Sequence, residues 1–324
     1  MDKAEVNLHR RAVVVDAHCD TLIKMQVEGR SLVTRSSTGH VDLPRLREGG
    51  VDVQFFAAYI APEYKPARAL KRALQIIDLF YHQLSANQGK IMLVEKYSDI
   101  ERCLHHNMLG AILSIEGGEA IEEDVGVLRM LFRLGVRSMC LTWNHRNALA
   151  DGVGEEANGG LTRLGIAVVQ EMNRLGMLID VAHMAERSFY NVLENSTHPL
   201  IASHANCMGL YEHPRNLRDE QIKALAEKGG VIGITFCPSF VSDSTPSLSK
   251  VVDHIDYASN LVGPRYVGLG SDFDGIDSTP TGLEDATCWP RITEELLSRG
   301  YKNDEIEGIL GGNHLRVLKE VLAP

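Results

Sequence analysis

The sequence predicts an α/β chain folded as a (β/α)8 TIM barrel with extra helices toward its C-terminal end. Eight short apolar runs recur along it, each followed by a longer stretch with helical spacing. Glycines stand where helix-like segments give way to strand-like ones, at Gly110, Gly135, Gly176 and Gly229/Gly230, as helix C-caps would require. The residues after the first run, Asp16-Ala-His-Cys-Asp20, hold no glycine, whereas a doubly wound open sheet would need a glycine-rich phosphate loop there.

The candidate strands are 12–18, 51–59, 110–116, 136–143, 177–182, 199–203, 230–236 and 266–271. They are rich in Val, Ile and Leu without strict alternation, as strands covered on both faces are. Helical spacing marks 66–87, 121–134, 162–175, 185–195, 218–228, 248–262 and a tail of helices over 289–321. The first opens on Pro66, which suits a first helical turn, and its predicted buried stripe is Leu70, Leu74, Ile77 and Phe80/Tyr81. No linker, repeat or low-complexity run divides the chain, so residues 1–324 read as one domain.

Composition narrows the functional classes. Lys+Arg 33 against Asp+Glu 43 gives a net charge of −10, which argues against a nucleic-acid partner. No apolar run approaches the ~20 residues of a membrane span. The opening MDKAEVNLHRR lacks the apolar core of a secretory leader, and the closing LRVLKEVLAP is too short and charged for a lipid-anchor signal. A soluble, cytoplasmic protein without a membrane partner is the expectation. Six scattered cysteines with no Cys-x-x-Cys pattern read as reduced, buried thiols.

In a barrel of this kind, chemistry gathers where strands end. The first candidate strand ends in His18-Cys19-Asp20, and alternation puts the imidazole and carboxylate on one side with the thiol opposite. Glu116 closes the third run before two glycines and needs an arginine, a hydrogen-bond network or a metal to be tolerated there. The fifth and sixth runs close with His183 and His204, and the fourth leads into His145. The eighth leads to Asp272 and Asp274, which alternation would aim the same way; one could carry protons while the other caps a turn. His18, Asp20, Glu116, His183 and His204 exceed what one tetrahedral zinc takes with a position left open. They suit two cations about 3.5–4 Å apart, with a carboxylate spanning both and a hydroxide between them.

The ordered motifs D-A-H-C-D at 16–20, S-I-E-G-G at 114–118, L-T-W-N-H at 141–145, D-V-A-H at 180–183, S-H at 203–204, R-N at 215–216 and G-S-D-F-D-G at 270–275 resemble the membrane (renal) dipeptidase family, peptidase family M19. That resemblance runs through nearly the whole chain. It implies an amidohydrolase-like barrel with two Zn2+ per chain, one on His18 and Asp20, the other on His183 and His204, with Glu116 bridging. It further implies that His145 stabilises the oxyanion, that Arg215, beside Asn216, grips the substrate's terminal carboxylate, and that Asp272 carries the proton to the leaving amine. The implied substrates are dipeptides, including L-Xaa-D-Xaa, and a homodimer is the family's expectation.

The chain is similar to the soluble bacterial branch of that family rather than to its anchored animal members. Alternatives remain at this stage: another binuclear-metal amidohydrolase acting on a cyclic amide, lactam or phosphoester, or a catalytically silent binding relative. Related hydrolases often open with His-x-His and use a lysine on strand four; here the opening is His18-x-Asp20, and 136–143 contains no lysine. For Arg215 the competing reading is a surface pair with Glu212. The other histidines, from His9 and His40 to His254 and His314, read as structural or exposed.

Overall fold

A computed structural model of the chain describes residues 8–322. The outermost residues, on which the expectation of no leader and no anchor partly rests, lie outside that range. Among the described residues no helix is long and apolar enough to cross a membrane.

Among the described residues nine parallel strands form one sheet: β1 Val14–Asp16, β2 Val51–Tyr59, β3 Ile91–Leu93, β4 Leu109–Glu116, β5 Val136–Cys140, β6 Leu178–Asp180, β7 Ile201–Ala205, β8 Val231–Ile234 and β9 Val267–Leu269. Eight of them run in the order β1-β2-β4-β5-β6-β7-β8-β9. The Ala17 amide donates to Leu269 O at 3.1 Å, that of Asp272 to His18 O at 3.1 Å and that of Asp20 to Phe273 O at 2.9 Å. These bonds join the last strand to the first and close the (β/α)8 barrel. All eight predicted strands are present. The unpredicted one, β3, pairs with β4 over Leu109–Ala111, below the stretch of β4 that β5 covers.

The predicted helices are found at Ala69–Ala86, Val125–Arg133, Arg163–Leu175, Glu186–Asn195, Asp219–Glu227 and Leu248–Val262. The C-terminal tail resolves into Trp289–Ser298, Asn303–Glu307 and Asn313–Val321. Between the last two, the π-turn Gly308–Gly312 packs on β1 and β9, where a Cβ on Gly311 would stand 2.2 Å from Val13 O. Helices Thr21–Glu28, Leu43–Glu48 and Tyr97–His105 were not predicted.

Two local expectations are corrected. Gly110 is not a helix cap: it lies within β4, and Asn107, at φ 51°, makes the left-handed turn after helix Tyr97–His105. The inward stripe of helix Ala69–Ala86 is Ala69, Arg72, Ala73, Ile76, Ile77 and Phe80, whereas Leu74 and Tyr81 are exposed. The small Ala69 and Ala73 let this helix lie close to its neighbours, so the buried face rotates toward them and away from Leu74.

Candidate metal centre

The strand ends deliver the predicted ligands to one buried pocket. His18 lies two residues beyond β1 and Asp20 two further on, the first residue before helix Thr21–Glu28. Cys19 points away from them, its thiol donating to Phe55 O at 3.2 Å. Glu116 is the last residue of β4. His204 lies in β7, whose pairing with β8 slips between Ala202 and Ala205; an irregularity of this kind re-aims a side chain. His183 sits past β6 in a left-handed turn, φ 64°, so a turn rather than strand alternation aims it.

Hydrogen bonds determine which imidazole nitrogens face the pocket. Asp180 accepts from the amides of Ala182 (3.0 Å) and Ser203 (2.9 Å) and from Ser203 Oγ (2.5 Å). The Ser203 proton is therefore committed to a carboxylate, and its oxygen can only accept from His204 Nδ1, 2.7 Å away. His204 thus carries its proton on Nδ1 and turns a lone pair on Nε2 inward. His183 makes the same arrangement through Nδ1, 2.8 Å from Asn144 Oδ1. The two Nε2 atoms stand 2.8 Å apart, and Glu116 Oε1 is 2.8 Å from His183 Nε2 and 3.8 Å from His204 Nε2.

On the other side, His18 Nε2 lies 3.4 Å from Asp20 Oδ2, 3.5 Å from Glu116 Oε2 and 4.0 Å from Asp272 Oδ1. His18 Nε2 and Asp20 Oδ1 are buried with no hydrogen-bond partner. Three groups have ligand atoms converging within 4.8 Å: His18/Asp20/Glu116, Glu116/His183/His204 and His18/His204/Asp272. Glu116 belongs to two of them, one through each carboxylate oxygen. Orphaned donor atoms, facing lone pairs and a shared carboxylate fit divalent cations of the borderline class bound by nitrogen and oxygen.

Burial pushes the Glu116 carboxyl upward and that of Asp272 up to about 7. Burial pulls His18 down, but Glu116, Asp20 and Asp272 outweigh it and carry the imidazole up to about 10. Burial, with Arg215 and His18 adding to it, holds His183 and His204 well below the ordinary histidine value. Without a cation the pocket thus holds two neutral imidazoles, His183 and His204, and crowded carboxylates that keep a proton on His18, a charge that a bound cation would replace.

The pocket, about 410 Å³, is lined by Asp20, Glu116, His183, His204, Arg215 and Asp272, among others. Arg215 is buried, donates from Nη2 to His204 O at 3.1 Å, lies over the Phe240 ring and leaves Nε without a partner. It makes no ion pair with Glu212, so the surface reading fails. Asn216 lies beside this pocket; its Nδ2 ties the loop to Tyr211 O (2.8 Å) and Phe240 O (2.9 Å). His145 is not in the pocket. Its side chain is 65% exposed and faces an adjoining cavity, with Trp143 between them at 5.8 Å from its ring.

Asp272 and Asp274 do not point alike. Both take left-handed backbone, φ 62° and 68°, which breaks strand alternation, and only Asp272 reaches toward His18. Gly270 permits the close packing at this corner, since a Cβ there would stand 1.8 Å from Ser203 O. Tyr59, Trp143 and Asn144 were missed as site residues. Tyr59 closes β2, so the strand-end rule that found Glu116 applied to it as well.

With this geometry in place, the relatives are informative. The membrane dipeptidase (peptidase family M19) pattern matches residues 2–323. "Dipeptidase verJ" of Clonostachys rogersoniana is 35% identical over 87% of this chain and 76% of its own length. Among solved structures, dipeptidase AC, a metallopeptidase of family M19, superposes with a TM-score of 0.91 at 28% identity, covering 97% of this chain and 99% of its own. A metallopeptidase from Rhodobacter sphaeroides, liganded with a phosphinate mimic of the dipeptide L-Ala-D-Ala, gives 0.89 at 28% identity over 96% and 99%. A pattern match over nearly the whole chain, joined to a barrel whose strand ends gather three imidazoles and three carboxylates, places this chain in the membrane dipeptidase family, peptidase family M19.

Proposed function

We propose that the chain is a zinc-dependent dipeptidase that hydrolyses the peptide bond of free L-Xaa-L-Xaa and L-Xaa-D-Xaa dipeptides. The observation that carries this reading is the pair of inward lone pairs on His183 and His204, 2.8 Å apart beside Glu116. His18, Asp20 and Glu116 would hold one zinc, and Glu116, His183 and His204 the other. When bound, the two ions polarise a carbonyl and bring the pKa of a water near neutral.

The chain's own residues do the rest. Arg215, buried and with Nε unpartnered, holds the terminal carboxylate of the dipeptide by charge-assisted hydrogen bonds. That grip sets the register of the peptide bond over the pocket. Asp272 takes a proton from the attacking water and delivers it to the departing nitrogen; burial, which lifts its carboxyl to about 7, suits it to both directions. His145 swings from the adjoining cavity to donate to the carbonyl oxygen, and Asn216 holds the loop on which Arg215 rides.

The phosphinate mimic of L-Ala-D-Ala in the Rhodobacter sphaeroides relative supports acceptance of a D-residue at the C-terminal side. The proposal carries with it a cytoplasmic enzyme acting on small free peptides. A homodimer belongs to the same reading, as the family's expectation.

The test is a panel of L-Ala-L-Ala, L-Ala-D-Ala and their C-terminal amides, assayed as purified, after chelation and after zinc restoration, with metal content measured at each stage. Turnover that vanishes with the metal, returns with it and prefers free carboxylates is the expected result. Protein that binds no zinc, or that binds it and turns over none of the panel, would reject the proposal.

A further inference from the structure

The loop after β9 carries a second buried carboxylate that the reaction does not use. Asp274 is wholly buried: Thr21 Oγ1 (2.8 Å) and the His40 amide (2.7 Å) donate to it, and the Arg30 guanidinium forms an ion pair with it, Nη2 standing 2.7 Å away. Arg30, itself only 6% exposed, also reaches Glu28 Oε2 at 3.0 Å and Val41 O at 2.7 Å. It ties the segment between helices Thr21–Glu28 and Leu43–Glu48 to the loop that bears Asp272. His40 Nδ1 accepts from the Asp274 amide at 2.9 Å, closing the clamp from the same segment.

That loop needs holding. Asp272 and Asp274 both occupy left-handed backbone, a conformation that costs non-glycine residues free energy and persists only where the surroundings enforce it. Space at the turn is minimal: a Cβ on Gly275 would stand 2.3 Å from Asp20 Oδ2 and 2.5 Å from Asp272 Oδ1. Thr21, which donates to Asp274, directly follows the candidate ligand Asp20. A shift of the 272–275 turn therefore moves the Asp272 carboxylate relative to Asp20 and His18.

We infer that the buried Arg30–Asp274 ion pair is a positioning device for the hydrolytic reaction, holding the turn after β9 so that the Asp272 carboxylate reaches the metal centre. Arg30 and Asp274 touch no substrate; they act through Asp272. The inference rests on the reading of Asp272 as the proton carrier, and the experiment separates the two.

The experiment is a double-mutant cycle on zinc-loaded protein, with kcat, KM and zinc per chain measured for Arg30→Gln, Asp272→Asn and the pair. Arg30→Gln should lower kcat roughly 10- to 100-fold, the scale of a reacting group displaced by an ångström, with KM and zinc content nearly unchanged. Arg30→Lys, which keeps the charge, should recover part of that loss. Adding Arg30→Gln to Asp272→Asn should cost nothing further, because the group being positioned is already gone. Losses that multiply in the pair, or an Arg30→Gln variant whose kcat per bound zinc is that of the parent, would overturn the inference. Near-parental turnover in Asp272→Asn alone would instead reject the proton role itself. Should Arg30→Gln fail to fold, Asp274→Asn, similar in shape but uncharged, takes its place in the same cycle with the same readings.

Discussion

His183 and His204 face each other through nitrogens that carry no proton, with Nε2 atoms 2.8 Å apart and both Nδ1 atoms already engaged. Two lone pairs at that distance repel unless something positive lies between them and Glu116. The strongest constraint on the site therefore comes from the residues behind the imidazoles, Asn144 on one side and Asp180 with Ser203 on the other.

Ser203→Ala tests that backing. It removes the acceptor for His204 Nδ1 and strips Asp180 of its hydroxyl donor without touching a ligand. Zinc affinity should fall by about 10- to 100-fold, as it does when such supporting partners are lost. A competition titration against a chromophoric chelator reads this directly, and unchanged affinity would contradict the tautomer assigned to His204.

Glu116→Gln tests the shared carboxylate. Glu116 belongs to two of the three converging groups, so if the two-zinc proposal holds, the neutral amide should leave one ion or none bound per chain. Elemental analysis after dialysis against limiting zinc reads the stoichiometry. Two tightly held ions in this variant would show that Glu116 does not span them.

Asp272→Asn should keep the metals and lose about 10²- to 10⁴-fold in kcat, the usual worth of a positioned proton carrier. Paired zinc analysis and steady-state kinetics separate this result from simple loss of metal.

Arg215→Lys exchanges a planar fork for a single ammonium, at a position where Nη2 already serves His204 O. KM for free dipeptides should rise by roughly 10-fold or more, from loss of a charge-assisted pair of about 1.5–3 kcal/mol, with kcat less affected. C-terminally amidated dipeptides should not register the change; an equal loss for both substrates would remove Arg215 from the carboxylate clamp.

A pH effect should also arise at a histidine outside the pocket lining. Burial, opposed by a hydrogen bond to Leu269 O, lowers His314 from 6.5 to about 4. As pH falls, the unfolded chain therefore binds this proton first, and the folded chain resists it. The contribution to stability is whole above pH ~7 and declines between about 6.5 and 4, by a total of about 3 kcal/mol. Urea midpoints of the metal-free protein at neutral and mildly acid pH should show the decline, and His314→Gln should make it shallower, His183 and His204 supplying the rest.

The apolar runs made the barrel legible because parallel strands buried on both faces leave long Val/Ile/Leu signatures. The strand-end rule then located His18, Glu116, His183, His204 and Asp272. What escaped was local geometry. β3, a three-residue strand, has no distinguishing sequence signal, and helix Leu43–Glu48, six residues long, covers less than two turns. The divergent aims of Asp272 and Asp274 depend on left-handed backbone, which neither residue type announces. His40 read as a bystander because its importance lies in a contact with Asp274, 234 positions away. The exposed placement of His145 had no sequence signal either, since loops carry no periodicity.

The barrel's seam sets the order in which this protein can come alive. His18 and Asp20 lie near the start of the chain, yet the backbone partners that fix them, Asp272 and Phe273, are among the last barrel residues to leave a ribosome. During synthesis the histidines and carboxylates of β1 through β7 emerge beside an unsewn edge. A nascent chain therefore has no finished cage, and the converging histidines and carboxylates are brought together only when the two ends of the sheet meet.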